Sequence, residues 1–69
     1  MRISTNREDG MILFTGKPIH KDIYETAIST YGKYWMILEG YDTKEQALCG
    51  HVKYVNISKD KITDLIIED

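Results

Sequence analysis

Cysteine is almost missing from this chain. Cys49 is the only one, so no disulfide can close within it, and a lone thiol suits a reducing compartment better than a cross-linked secreted scaffold. No run approaches the ~18 consecutive apolar residues that a membrane span needs. Met1-Arg2-Ile3-Ser4-Thr5-Asn6-Arg7 has no apolar stretch behind its charges, so the expectation is a cytosolic protein with no membrane partner. Without a secretion signal, Asn56-Ile57-Ser58 carries no weight as a glycosylation site. An excess of one charge is missing too: nine basic residues against eleven acidic ones give a formal charge of −2, and the nine are scattered from Arg2 to Lys61. Non-specific nucleic-acid binding draws on a basic patch that neutralises several phosphates, which disfavours nucleic acid as a partner. Glycine-rich phosphate loops, Ser-His-Asp arrangements, repeats and low-complexity tracts are also lacking.

What is present is the composition of a folded globule, 42% hydrophobic and 29% charged. These 69 residues have room for one domain, spanning 1–69. Its single core supplies about 3–5 kcal/mol, and domains this small often add to that by self-association.

Along the chain, Asp9-Gly10 marks a hairpin turn, because glycine accepts the positive φ that such turns demand. Met11 to Thr15 reads as a short strand stopped by Gly16 and Pro18. Ile23 to Ser29 alternates with period two and places Tyr24, Thr26 and Ile28 toward a core. A turn across Ser29–Lys33 then leads to the most strand-like segment, Tyr34 to Glu39, which should pair with the preceding strand as an antiparallel hairpin. This segment is apolar on both sides, with Tyr34, Met36 and Leu38 on one and Trp35 and Ile37 on the other. One small helix cannot cover both, so either the N-terminal segment folds across the second side or that side meets another copy, a partner or a ligand.

Asp42 followed by Glu45 suggests a capping box that opens a helix at Asp42 or Thr43. Ala47, Leu48, Val52 and Val55 would form its buried stripe, with His51 at the edge and Lys44, Glu45 and Lys53 outward. Gly50 costs a helix roughly 1 kcal/mol relative to alanine, which points to close packing against a strand. Ile62, Leu65 and Ile66 fit a short C-terminal helix. The expected fold is α+β: a small antiparallel sheet of three to four strands with one main helix packed on it.

Chemistry-bearing residues are few. Cys49 and His51 are two apart, and on a helix such residues point about 200° away from each other, so they cannot chelate one ion. His20, Glu25 and Asp9 complete no recognised ligand spacing. A helix-interior Cys49 lacks the environment that activates a nucleophile. The expectation is therefore no enzyme, no metal and no cofactor. Seven aromatics remain, five of them tyrosine or tryptophan outside the helix. Such residues are favoured at protein interfaces because they bury area and keep a hydrogen-bonding group. The candidate binding residues are Tyr24, Tyr34, Trp35, Tyr41 and His51. A host protein and a second copy are the leading partners. A small nucleotide or signal molecule is the alternative, should the tyrosines, Trp35, His51 and Lys33 converge near one sheet face.

Tyr24-Glu25-Thr26-Ala27-Ile28, the apolar strand with Trp35, Tyr41-Asp42-Thr43-Lys44-Glu45-Gln46-Ala47, and Gly50-His51 followed by Tyr54-Val55 together resemble a family of small uncharacterised bacteriophage proteins. The resemblance covers about residues 22 to 56; the first twenty residues and Cys49 depart from the family's usual form. It implies an origin more than an activity, namely small phage proteins that bind host machinery and inhibit or redirect it, as with defence or transcription components.

Overall fold

The computed structural model describes residues 1–30 and 34–67, with side chains described through residue 63. Four strands, β1 (Arg2–Asn6), β2 (Met11–Gly16), β3 (Tyr24–Thr30) and β4 (Trp35–Tyr41), precede two helices, α1 (Lys44–Asn56) and α2 (Lys59–Ile67). The strands form one antiparallel sheet in the order β1-β2-β3-β4, and both helices belong to one side of it. This is the α+β architecture the sequence implies. The expected turn Ser29–Lys33 lies partly outside the described residues.

The first hairpin turns where expected. Gly10 adopts φ 88, and the Arg7 amide donates to the Met11 carbonyl at 2.8 Å. Arg7 then ties the hairpin to the helix layer: its guanidinium forks onto the Asp9 carboxylate and donates to the Tyr54 carbonyl at 2.7 Å. Burial pulls the Asp9 carboxyl upward, but the hydrogen bonds from Arg7 and the Met11 amide outweigh it and hold Asp9 below the usual carboxylate range.

The capping box is real but sits one residue later than Asp42 and Glu45 suggest. Thr43 is the N-cap, its Oγ1 accepts from the Gln46 amide, and the Gln46 side chain accepts from the Thr43 amide. The buried stripe of α1 is also rotated from the expected one. Ala47, Gly50, His51 and Tyr54 are buried, whereas Leu48 and Val52 are exposed. Gly50 explains the rotation: a Cβ there would fall within the Tyr41 ring, so glycine lets the helix sit directly on the end of β4. Tyr54 fills the opposite end of that stripe. The core beneath α1 and α2 is Met11, Leu13, Ile28, Tyr54 and Ile62, with Leu38, Val55 and Ile57 packed against it. Fully burying side chains such as Leu13 and Ile62 contributes roughly 1.5–3 kcal/mol each. Ser58 opens α2, its Oγ accepting from the Lys61 amide and its carbonyl from the Ile62 amide.

β1 lies beside β2 at the sheet edge, so the N-terminal segment does not fold across the side of the sheet opposite the helices. At the other edge, a bulge between the β3–β4 pairs Thr26–Glu39 and Ala27–Ile37 leaves Leu38 as the extra residue and turns it into the core.

Candidate functional site

The two sides of the sheet follow from the pleat and the register. On the helix side, one residue from each strand joins a buried polar chain. Thr5 Oγ1 lies 2.8 Å from His51 Nε2, and His51 Nδ1 lies 2.7 Å from Thr15 Oγ1. Thr15 Oγ1 lies 2.7 Å from Thr26 Oγ1, which lies 3.0 Å from the Tyr41 hydroxyl. A neutral imidazole has one donor and one acceptor, and each hydroxyl can do both, so the whole chain is satisfied with His51 uncharged. His51 is only 5% exposed. Burial holds its pKa below the usual histidine value, and no described carboxylate bonds the ring to oppose that. Burial, with the nearby Glu39 carboxylate adding to it, pushes Tyr41 up to about 12. Glu39 itself is held below the usual range: against the upward pull of burial, Lys53 Nζ bonds both carboxylate oxygens at 2.9 and 3.0 Å.

This arrangement places Tyr41 and His51, two of the candidate binding residues, inside the fold. Each ring nitrogen of His51 has a threonine partner, and Tyr41 packs on Gly50. Cys49, by contrast, is exposed on α1 and shares no face with His51. Among the described residues, no group of three or more His, Cys, Asp or Glu side chains could hold a metal ion. Thr26 faces the core as its alternation with Tyr24 and Ile28 implies, whereas Thr5 and Thr15 escaped the sequence reading; for Thr15 a signal existed, since it lies two residues from Leu13 and so on the core side of its strand.

The side away from the helices is a grid of three rows read across β1 to β4: Arg2, Gly16, Glu25, Gly40; then Ser4, Phe14, Ala27, Ile37; then Asn6, Ile12, Ser29, Trp35. No described helix covers it. Ile12, Phe14 and Ala27 are half-buried by their neighbours. The Phe14 ring leans over Gly16, where a Cβ would come within 3.1 Å of it, and the Ile23 side chain leans over Gly40. The Arg2 guanidinium rests 5.6 Å from the Phe14 ring centroid. The Ser29 hydroxyl is buried in the third row without a hydrogen-bond partner.

Exposure peaks along the β4 edge and on both sides of that strand, since Trp35 and Ile37 belong to the grid whereas Met36 pairs with Ile28 and lies on the helix side. Tyr34, Trp35, Met36 and Ile37 are 85%, 52%, 44% and 56% exposed, four consecutive apolar residues open to solvent. Here the structure brings two of the sequence candidates, Tyr34 and Trp35, together. Tyr24 lies elsewhere: it is half-buried, faces the helix side and pairs with Tyr41, whereas Trp35 pairs with Ser29. The two pairs lie five positions apart along β3, roughly 17 Å of strand. The expected convergence of tyrosines, Trp35 and His51 near one sheet face therefore does not occur, and Lys33 lies outside the described residues. No described helix is long and apolar enough to cross a membrane.

No protein-family profile, curated protein or solved structure matches the chain.

Proposed function

We propose that this chain is a bacteriophage-encoded, non-enzymatic binding protein that inhibits or redirects a host protein, such as a defence or transcription component, in the host cytosol. The observation that carries this reading is the open apolar run Tyr34-Trp35-Met36-Ile37 at a sheet edge. Exposed aromatic and aliphatic groups gathered at one place are what protein interfaces use as anchors, whereas isolated exposed apolar residues need no explanation. The internal use of His51 supports the same reading, because its ring is engaged in holding β1 and β2 to α1. The phage origin rests on the motif resemblance from Tyr24 to Val55.

The test is affinity capture from host lysate with the wild-type chain and with Ile37→Asp, a substitution at an exposed position, with circular dichroism confirming that the variant is folded. A defined host protein retained by the wild type and lost by Ile37→Asp is the expected result. Equal capture by both, or none by either, rejects the reading.

A second reading, a binder or sequestering protein for a small nucleotide or signal molecule, has a different corner in its favour. A cleft of about 300 Å³ is lined by Arg2, Phe14, Lys17, Pro18 and Ile19, and the Lys17 ammonium stands 5.8 Å over the Tyr24 ring. Within the cleft, the two cations Arg2 and Lys17 beside the Phe14 ring suit a phosphorylated, planar ligand. Specific binding raises the melting temperature; a nucleotide panel that leaves it unchanged at millimolar ligand removes this reading.

A further inference from the structure

We propose that the uncovered side of the sheet is the contact between two copies of this chain, packed face to face about a two-fold axis parallel to the strands and passing between β2 and β3. The inference goes beyond the host-binding reading and does not depend on it. Such an axis keeps the rows of the grid and reverses the strand order, so β1 lies over β4 of the second copy and β2 over its β3.

The residues of the grid fit themselves in this arrangement. In the middle row Phe14 meets Ala27 of the second copy and Ile37 meets its Ser4; in the third, Ile12 meets Ser29 and Trp35 meets Asn6. Each bulky apolar side chain faces a small or polar one, and symmetry makes every such pairing twice. In the first row Arg2 and Glu25 face Gly40 and Gly16. Arg2 leans on the Phe14 ring and that ring leans over Gly16, so its guanidinium sits where Glu25 of the second copy arrives, a carboxylate that already holds Lys21 Nζ at 2.9 Å through one oxygen and has its other oxygen for Arg2. The rim is therefore complementary in charge as the centre is in size. An axis running across the strands instead sets Phe14 on Phe14, Ile37 on Ile37 and Ala27 on Ala27, giving collisions beside gaps. Aligned sheets cross at about −30°, which displaces the corners but keeps the central Phe14–Ala27 contacts.

The size suits a reversible dimer. Four strands about 4.8 Å apart and six residues at about 3.3 Å make a footprint of roughly 19 by 20 Å. With side-chain relief it reaches the lower range of specific interfaces, about 600 Å² per partner. The competing route, edge pairing through β4, is impeded by the bulge at Leu38, because a bulge twists an edge away from a flat partner.

The test is sedimentation equilibrium of the full chain over a concentration series, on wild type, Arg2→Glu, Glu25→Arg and an equimolar mixture of the two variants, with circular dichroism confirming that each is folded. The wild type is expected to pass from monomer to dimer in the micromolar range. Each charge variant alone places like charges together twice and weakens the dimer roughly tenfold or more, while the mixture forms a heterodimer that recovers it. Ser4→Trp, at an exposed position on β1 opposite Ile37 of the second copy, weakens the dimer without touching either charge. Because Arg2 and Ser4 lie three strands from β4, edge pairing through β4 would leave the Arg2→Glu and Ser4→Trp variants like wild type, and that result overturns the proposal. So does a wild type that remains monomeric at high micromolar concentration, an outcome that leaves the host-capture result standing or falling by itself.

Discussion

Each side of this sheet departs in part from the usual distribution of polarity. The side covered by helices carries a buried chain of three threonines, a histidine and a tyrosine beside its apolar core, whereas the uncovered side carries phenylalanine, tryptophan and isoleucine. On the covered side, hydrogen bonds link all four strands to α1, and Gly50 fixes how closely the helix approaches. On the open side nothing described holds the apolar rows away from water. The difference teaches that apolar area and structural role are separable here: a small core made specific by a closed polar chain leaves hydrophobic surface free for association.

Substitutions on the covered side should break this contrast most strongly. Gly50→Ala should lose about 2–3 kcal/mol in chemical denaturation even though alanine favours helix, because the Cβ must displace Tyr41 from Thr26. His51→Ala should lose about 2–4 kcal/mol, through a cavity and hydroxyls left without their partner. A double-mutant cycle with Thr15→Val should return a coupling of about 1 kcal/mol, which a purely packing role for the ring would not produce.

Lowering the pH applies the same stress without a substitution. The folded-state pKa of His51 lies below its unfolded value, so the stabilisation from its neutral form is complete above the unfolded value of about 6.5 and declines as pH falls through the folded one. Denaturant midpoints measured from pH 7.5 to 5 should fall in the wild type and stay nearly level in His51→Gln. At lower pH, protonation of Asp9 and Glu39, both held below the usual carboxylate range, adds a second decline.

Open-side substitutions should have small effects on folding. Ile37→Ser should change stability by no more than about 0.5 kcal/mol while altering association. Ser29→Ala should be neutral or stabilising by up to ~1 kcal/mol, since it removes a buried hydroxyl that has no partner. Thermal melts at low concentration check both.

The elements were largely legible in the sequence, because their signals are local. Asp9-Gly10 announces a hairpin, alternation announces β3, and a polar N-cap announces α1. The stripe of α1 was not legible. Leu48 and Val52 look like core residues by hydrophobicity alone, and only the contact of Gly50 with Tyr41 in three dimensions turns His51 inward instead. The same holds for the candidate site. Tyr34 and Trp35 are neighbours in sequence and stay neighbours at an exposed edge, whereas Tyr41 and His51 acquire hydrogen-bond partners from three other segments, β1, β2 and β3, that no spacing rule connects. The doubly apolar β4 did point to an open face, and the pairing of β1 with β2 removed the one intramolecular cover available to it.

Trp35 is the only tryptophan and stands half-exposed on that face, so its fluorescence reports directly on whether the open side is used. Emission recorded from low to high micromolar protein should move to the blue as Trp35 leaves water, and Ile37→Asp should abolish the movement. Emission that stays at the solvent-exposed position throughout, in a chain shown to be folded, would contradict the account.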